Sequence, residues 1–88
     1  MEIEYQDIIT LSDNNKYVVA SKVNYKDAKY VYLVDIYNNS NIKFAEIEKD
    51  NSLSELDSKI DKKLIIELIP LFYNSSIKDI EIVSAKGN

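Results

Sequence analysis

Along the first half of the chain, apolar and polar residues alternate with a period of two; one later stretch follows a helical period instead. Ile3, Tyr5, Ile9 and Leu11 share one parity, with Glu4, Gln6 and Thr10 on the other, which predicts a strand over 3–11. Ser12-Asp13-Asn14-Asn15 reads as a turn, after which a second strand runs over 16–24. Its Tyr17, Val19, Ser21 and Val23 are set on one face, and Val18, Ala20 and Lys22 on the other. A turn at Tyr25-Lys26-Asp27-Ala28 leads to a third strand over 29–37. There Tyr30, Tyr32, Val34 and Ile36 oppose Val31, Leu33 and Tyr37, with Asp35 the only polar interruption. A strand apolar on both sides belongs in the middle of a sheet covered twice. Asn38-Asn39-Ser40-Asn41 predicts the next turn and 42–48 a fourth strand. The chain holds one glycine, Gly87, so its tight turns fall to Asn and Asp, which tolerate positive φ.

The densest apolar run, Leu64-Ile65-Ile66-Glu67-Leu68-Ile69-Pro70-Leu71-Phe72, changes period. At about 100° per residue, Ile60, Leu64, Leu68 and Leu71 form one stripe, widened by Ile65, Ile69 and Phe72. Ile66 points away from it. The expected helix spans about 59–73, with Ser58 and Asp61 as its capping box, 52–58 as a lead-in of open shape, and Pro70 loosening the last turn. Beyond Asn74-Ser75-Ser76, residues 77–83 are an edge-strand candidate, with Ile80 and Ile82 on one side. Four-residue turns favour antiparallel neighbours. The predicted fold class is therefore α+β: an antiparallel meander of four to five strands with one helix packed on one face, in a single domain of 88 residues.

One helix covers one face. The other must be solvated or covered by something else, and the third strand suits water on neither side. This directs attention to the tyrosines. Tyr17, Tyr25, Tyr30, Tyr32 and Tyr37 crowd into strands two and three. Tyrosine is enriched at interfaces, although aromatic cross-strand packing within one subunit is the simpler explanation.

Composition narrows the chemistry. With no His and no Cys, the usual nucleophilic triads, disulfides and thiolate metal sites are excluded, and no enzymatic activity is expected. Glu46 and Glu48 share a strand face and Asp50 follows at a turn. Such oxygens suit hard cations, but the calcium-loop spacing and its glycine are missing, so a solvated acidic face is expected, without metal or cofactor. The net charge of −4 and the absence of arginine argue against direct nucleic-acid binding and permit a basic protein partner. Lys59, Lys62 and Lys63 alternate with Asp57 and Asp61 as a mixed-charge helix face. No apolar h-region follows Met1 and no apolar run nears 18 residues, so a cytoplasmic location and no membrane contact are expected. Heavy use of Ile, Asn, Lys and Tyr points to an AT-rich genome, a low-GC bacterium or its phage.

The acidic hairpins, then Lys43-Phe44-Ala45-Glu46-Ile47-Glu48, then Leu56 and Ile60-Asp61 leading into Leu64-Ile65, resemble the small bacterial proteins of the domain-of-unknown-function 1292 family. The resemblance spans about 5–73 and implies an acidic, cytoplasmic α+β protein without an assigned activity; it carries over no site residue. The expected function is a protein-interaction module that binds a partner or itself through a tyrosine-rich sheet face formed by Tyr17, Tyr30, Tyr32 and Tyr37. The alternative is a phage- or mobile-element-encoded inhibitor or immunity-type protein. Its acidic surface at Glu46, Glu48 and Asp50 would block a basic site on a nuclease.

Overall fold

A computed structural model describes the backbone of residues 2–87 and the side chains of residues 2–75. Five antiparallel strands form a meander in sequence order: β1 (Ile8–Thr10), β2 (Lys16–Tyr25), β3 (Ala28–Asp35), β4 (Asn38–Ile47) and β5 (Leu53–Glu55). One helix, α1 (Lys62–Gly87), packs against the sheet. The α+β class and the central place of β3 agree with the pattern of the sequence.

The turns follow side-chain chemistry. Lys26 and Asp27 both take positive φ (48° and 66°) between the paired Tyr25 and Ala28. A two-residue hairpin of this kind matches the strand twist. Asn14 and Asn51 also adopt positive φ, in place of glycine. The third turn lies earlier than the asparagine run suggests. Ile36 and Tyr37 make it, and Asn38–Asn41 already belong to β4. Asp35 is the reason: its Oδ1 accepts the Tyr37 backbone N–H at 2.8 Å and closes an Asx turn.

A bulge in β2 reorders the faces. Val19 pairs with Leu33, but Ser21 pairs with Tyr32, so Ala20 is the extra residue. Tyr17 and Val19 therefore join Val31, Leu33, Ala45 and Ile47 in one core, while Val23 joins Tyr30 in the other. Strict alternation had set Tyr17, Val19, Ser21 and Val23 on a single face. Ser21 now lies under the helix, where its Oγ donates to the Phe72 carbonyl at 3.4 Å.

The two cores explain how the sheet is covered. On one face, Leu64, Leu68, Leu71 and Phe72 of α1 pack on Val23, Tyr25, Tyr30, Tyr32 and Phe44. The Tyr25 hydroxyl donates to Glu67 Oε2 at 2.7 Å and fixes the helix across β2. On the other face, Ile3, Ile9, Leu11 and Leu53 close over Tyr17, Val19, Val31 and Leu33. The N-terminal arm is held there by Lys22, whose ammonium donates to the Ile3 carbonyl at 2.9 Å and lies 3.9 Å from Glu4. The twisted sheet brings β1 and β5 toward each other over this face, leaving a cavity of about 360 Å³ between them. The chain thus covers the side that its single helix cannot reach.

The ends of the elements differ from the periodic pattern. The strand expected over 3–11 is confined to three residues, and the lead-in at 52–58 contains β5. Asp57, not Ser58, caps the helical entry: its Oδ1 accepts the N–H groups of Lys59 and Ile60, and its own N–H donates to Asp61 Oδ2 at 2.7 Å. Ile60 projects into solvent, apart from the stripe of Leu64, Leu68 and Leu71. The helix continues through Pro70 to Gly87, so 77–83 is helical and not an edge strand; the side chains of that segment lie outside those described.

Candidate functional site

The four tyrosines named from sequence do not share a face. Tyr17 is fully buried in the core away from the helix, and Tyr30 is 7% exposed beneath the helix. Tyr37 stands at the β3–β4 turn, 84% exposed. Only Tyr32, half-buried, borders both a core and open surface. The tyrosine-rich sheet face is therefore filled within the subunit. The bulge separates Tyr17 from the others, and α1 covers Tyr30.

Tyr17 serves the fold instead. Its hydroxyl donates to Asp13 Oδ2 at 2.7 Å and accepts from Asn41 Nδ2 at 3.0 Å, which in turn donates to Asp35 Oδ2 at 3.1 Å. The Asp13 bond holds the phenol above its ordinary pKa, and the same hydroxyl draws the Asp13 carboxyl below the usual carboxylate value. Burial, with Glu46 nearby, raises Tyr30. Both phenols are neutral structural groups at pH 7.

The open apolar surface lies on the helix side of the sheet, beside the helix. Ile8 pairs with Val18, Val18 with Val34, and Val34 with Ile42. This lines up four aliphatic side chains across β1, β2, β3 and β4. None belongs to either core. Val18 and Val34 are half-buried, Ile8 is 62% exposed and Ile42 is 41% exposed. At the β4 end the row meets an aromatic cluster. The rings of Tyr32 and Phe44 stack at 5.5 Å, and Phe72 lies 5.9 Å and 5.8 Å from them. Ile69 and Tyr73 of α1 complete a groove of about 290 Å³ over these rings. A second cleft of about 550 Å³ continues past Ile42 and Phe44, between β4, the segment 55–58, and Lys62, Ile65 and Ile66 of α1. The result is an apolar shelf with the helix as its wall.

The wall is fixed by covalent and packing geometry. Leu68, fully buried, anchors α1 to the sheet. Three and four residues around a helix share a face, so the stripe that faces solvent carries Ile66, Ile69 and Tyr73. The sequence had marked Ile66 as pointing away from the packed stripe. It had assigned Ile69 to the widened stripe, which the structure leaves half open.

The acidic candidates divide. Glu46 and Glu48 line one cleft of about 420 Å³ with Glu2 and Asp27, but Lys29 and Lys49 line it too. Glu48 also accepts a bond from Ser54 Oγ at 2.8 Å. Asp50 stays apart in its turn. It accepts from the Ser52 hydroxyl and backbone N–H, and these bonds lower its pKa. Among the described residues, no three acidic side chains come together as a metal site, and no helix is long and apolar enough to cross a membrane.

No family model matches this chain, and neither a curated protein nor a solved structure matches it.

Proposed function

We propose that this chain is a non-enzymatic protein-interaction module whose binding surface is the shelf beside α1. The observation that carries this reading is the unburied row Ile8–Val18–Val34–Ile42 running into the groove of Tyr32, Phe44, Ile69, Phe72 and Tyr73. Contiguous exposed apolar surface edged by aromatic anchors marks an interaction site. The lack of His and Cys supports a non-catalytic role. The sequence had placed the interface on the sheet tyrosines; in this reading Tyr32 alone keeps that role. The resemblance to the domain-of-unknown-function 1292 proteins remains part of the proposal, resting on the apolar and acidic pattern of 5–73.

The inhibitor reading has weaker support, because two lysines share the cleft of Glu46 and Glu48 and Asp50 is engaged in its own turn. Salt separates the two readings. An interaction through the shelf persists from low to high ionic strength, whereas an acidic mimic loses affinity steeply. The experiment is a pull-down from source cells with wild type, Ile42→Glu/Tyr73→Glu, and Glu46→Lys/Glu48→Lys. The shelf reading expects a salt-resistant partner that the first variant loses and the second retains. The reverse pattern overturns it.

A further inference from the structure

The shelf is a sheet face, and this limits what can lie on it. The strands beneath Ile8, Val18, Val34 and Ile42 are paired with one another from β1 through β4. An occupant meets apolar side chains there and no open ladder to join. An extended segment would leave its own N–H and C=O groups without partners against such a surface, whereas a helix satisfies them internally. The dimensions agree. Four strands about 4.8 Å apart make a row about 14 Å long, the rise of roughly ten helical residues. α1 already crosses the strands as the row does. It passes from β4, where Lys62, Ile65 and Ile66 border Ile42 and Phe44, to β2, where the Phe72 carbonyl accepts the Ser21 hydroxyl. A second helix laid alongside at ~8–10 Å would rest on the row and against Ile69 and Tyr73.

The charges around the shelf select the sign of that helix. Lys16, exposed in β2 two residues from Val18, stands on the same sheet face. Lys62, also exposed, lines the cleft at the other side of Ile42. Among the described residues neither lysine has an ion pair. The carboxylates that border the cleft are engaged: Glu55 lies 3.4 Å from the Lys43 ammonium, and Asp57 accepts the N–H groups of Lys59 and Ile60. In a chain of net charge −4, the unpaired charges beside the apolar row are therefore cationic. A second copy would meet these lysines with the same surface, since a two-fold pair matches one patch to itself. We propose that the shelf receives an amphipathic helix of a different protein, apolar toward the sheet at i, i+3, i+4 and i+7 and acidic along its edges. This deepens the reading above by naming the partner's chemistry, and it rests on that reading. Apolar contact supplies the salt-resistant affinity, and Lys16 and Lys62 set orientation and preference.

The test is a selection from a random phage-displayed library of peptides of about 15 residues, long enough to form a helix, panned on the full chain. Each selected peptide is synthesised and titrated against wild type, Ile42→Glu/Tyr73→Glu and Lys16→Glu/Lys62→Glu. All four positions are exposed, and circular dichroism first verifies that both variants are folded. The expected peptides carry apolar residues at helical spacing flanked by Asp and Glu, and gain helical dichroism on binding. Ile42→Glu/Tyr73→Glu weakens them about tenfold or more. Lys16→Glu/Lys62→Glu weakens them about threefold or more, and panning on that variant selects lysine in place of the acids. Peptides that depend on Ile42 and Tyr73 but are extended, or basic, overturn the acidic helix and leave the shelf as the interaction surface. Sedimentation velocity of the chain alone adds the remaining occupant: a dimer that Ile42→Glu/Tyr73→Glu dissociates assigns the shelf to a second copy and also overturns the proposal. A selection that yields no peptide sensitive to Ile42→Glu/Tyr73→Glu, with a monomeric chain, removes both the acidic helix and the shelf reading.

Discussion

Asp13 sits in the turn before β2, where it joins two elements through one carboxylate. Oδ2 accepts the Tyr17 hydroxyl, and Oδ1 accepts the Asn15 N–H at 2.9 Å. Asp57 performs a similar task at the helix entry and Asp50 at the β4–β5 turn, and all three carboxyls titrate below their ordinary value. A lowered folded-state pKa adds stability that is present above the unfolded value, near 3.9, and disappears as pH falls through the folded value. The thermal midpoint should therefore decline as pH drops below about 4, and Asp13→Asn should flatten part of that decline in a melt series followed by circular dichroism. Tyr17 and Tyr30 have the opposite sign: their raised pKa values add stability below about 10 that is lost as pH rises through the folded values. Tyr17→Phe leaves Asn41 and Asp13 without a shared partner at the partly buried rim of the core, and should lower the urea midpoint at pH 7. None of this network was legible in the sequence. Asp13 and Tyr17 are far along the chain from Asp35 and Asn41, and each residue alone looks like an ordinary turn or strand residue.

At the scale of elements, the bulge at Ala20 decides which core each half of β2 serves. Strands two and three were legible because their alternation is strong, and the double-sided apolar pattern of β3 correctly placed it at the centre of the sheet. The bulge was invisible because Ala20 is small and the parity of Tyr17, Val19, Ser21 and Val23 is unbroken in sequence. Only the partners reveal it, through the shift from Val19↔Leu33 to Ser21↔Tyr32. Deleting Ala20 discriminates the two views. If all four residues shared one face, the deletion would turn half of β2 inside out and unfold the protein. With the bulge present, the deletion leaves a regular ladder in which Ser21 still meets Tyr32 and Val23 still meets Tyr30. The shortened protein should remain folded, with a cooperative melt and native near-ultraviolet dichroism; loss of cooperativity would contradict the bulge. The helix shows the complementary error. Its stripe was legible from Leu64, Leu68 and Leu71, but its end was not, because Pro70 and Asn74-Ser75-Ser76 look like stop signals and yet lie inside it.

For the whole molecule, the open question was which side of the sheet lacks a cover. Counting elements suggested the side away from the helix, since one helix covers one face. The curled sheet reverses that answer: Ile3, Ile9, Leu11 and Leu53 close the far side, and the helix, crossing only part of the near side, leaves the shelf bare. Coverage depends on twist and on the path of the N-terminal arm, which a period-two pattern does not encode. The exposed Ile42, Ile69 and Tyr73 were each visible in sequence as apolar residues. Their convergence required β4 and α1 to be placed together. The most direct test is methyl NMR of dilute protein with a soluble nitroxide, which broadens signals near the surface. Signals of Ile8, Ile42 and Ile69 should be bleached and those of Val19, Val31 and Leu33 spared. Strong bleaching of Val31 and Leu33, with Ile42 and Ile69 protected, would contradict the account.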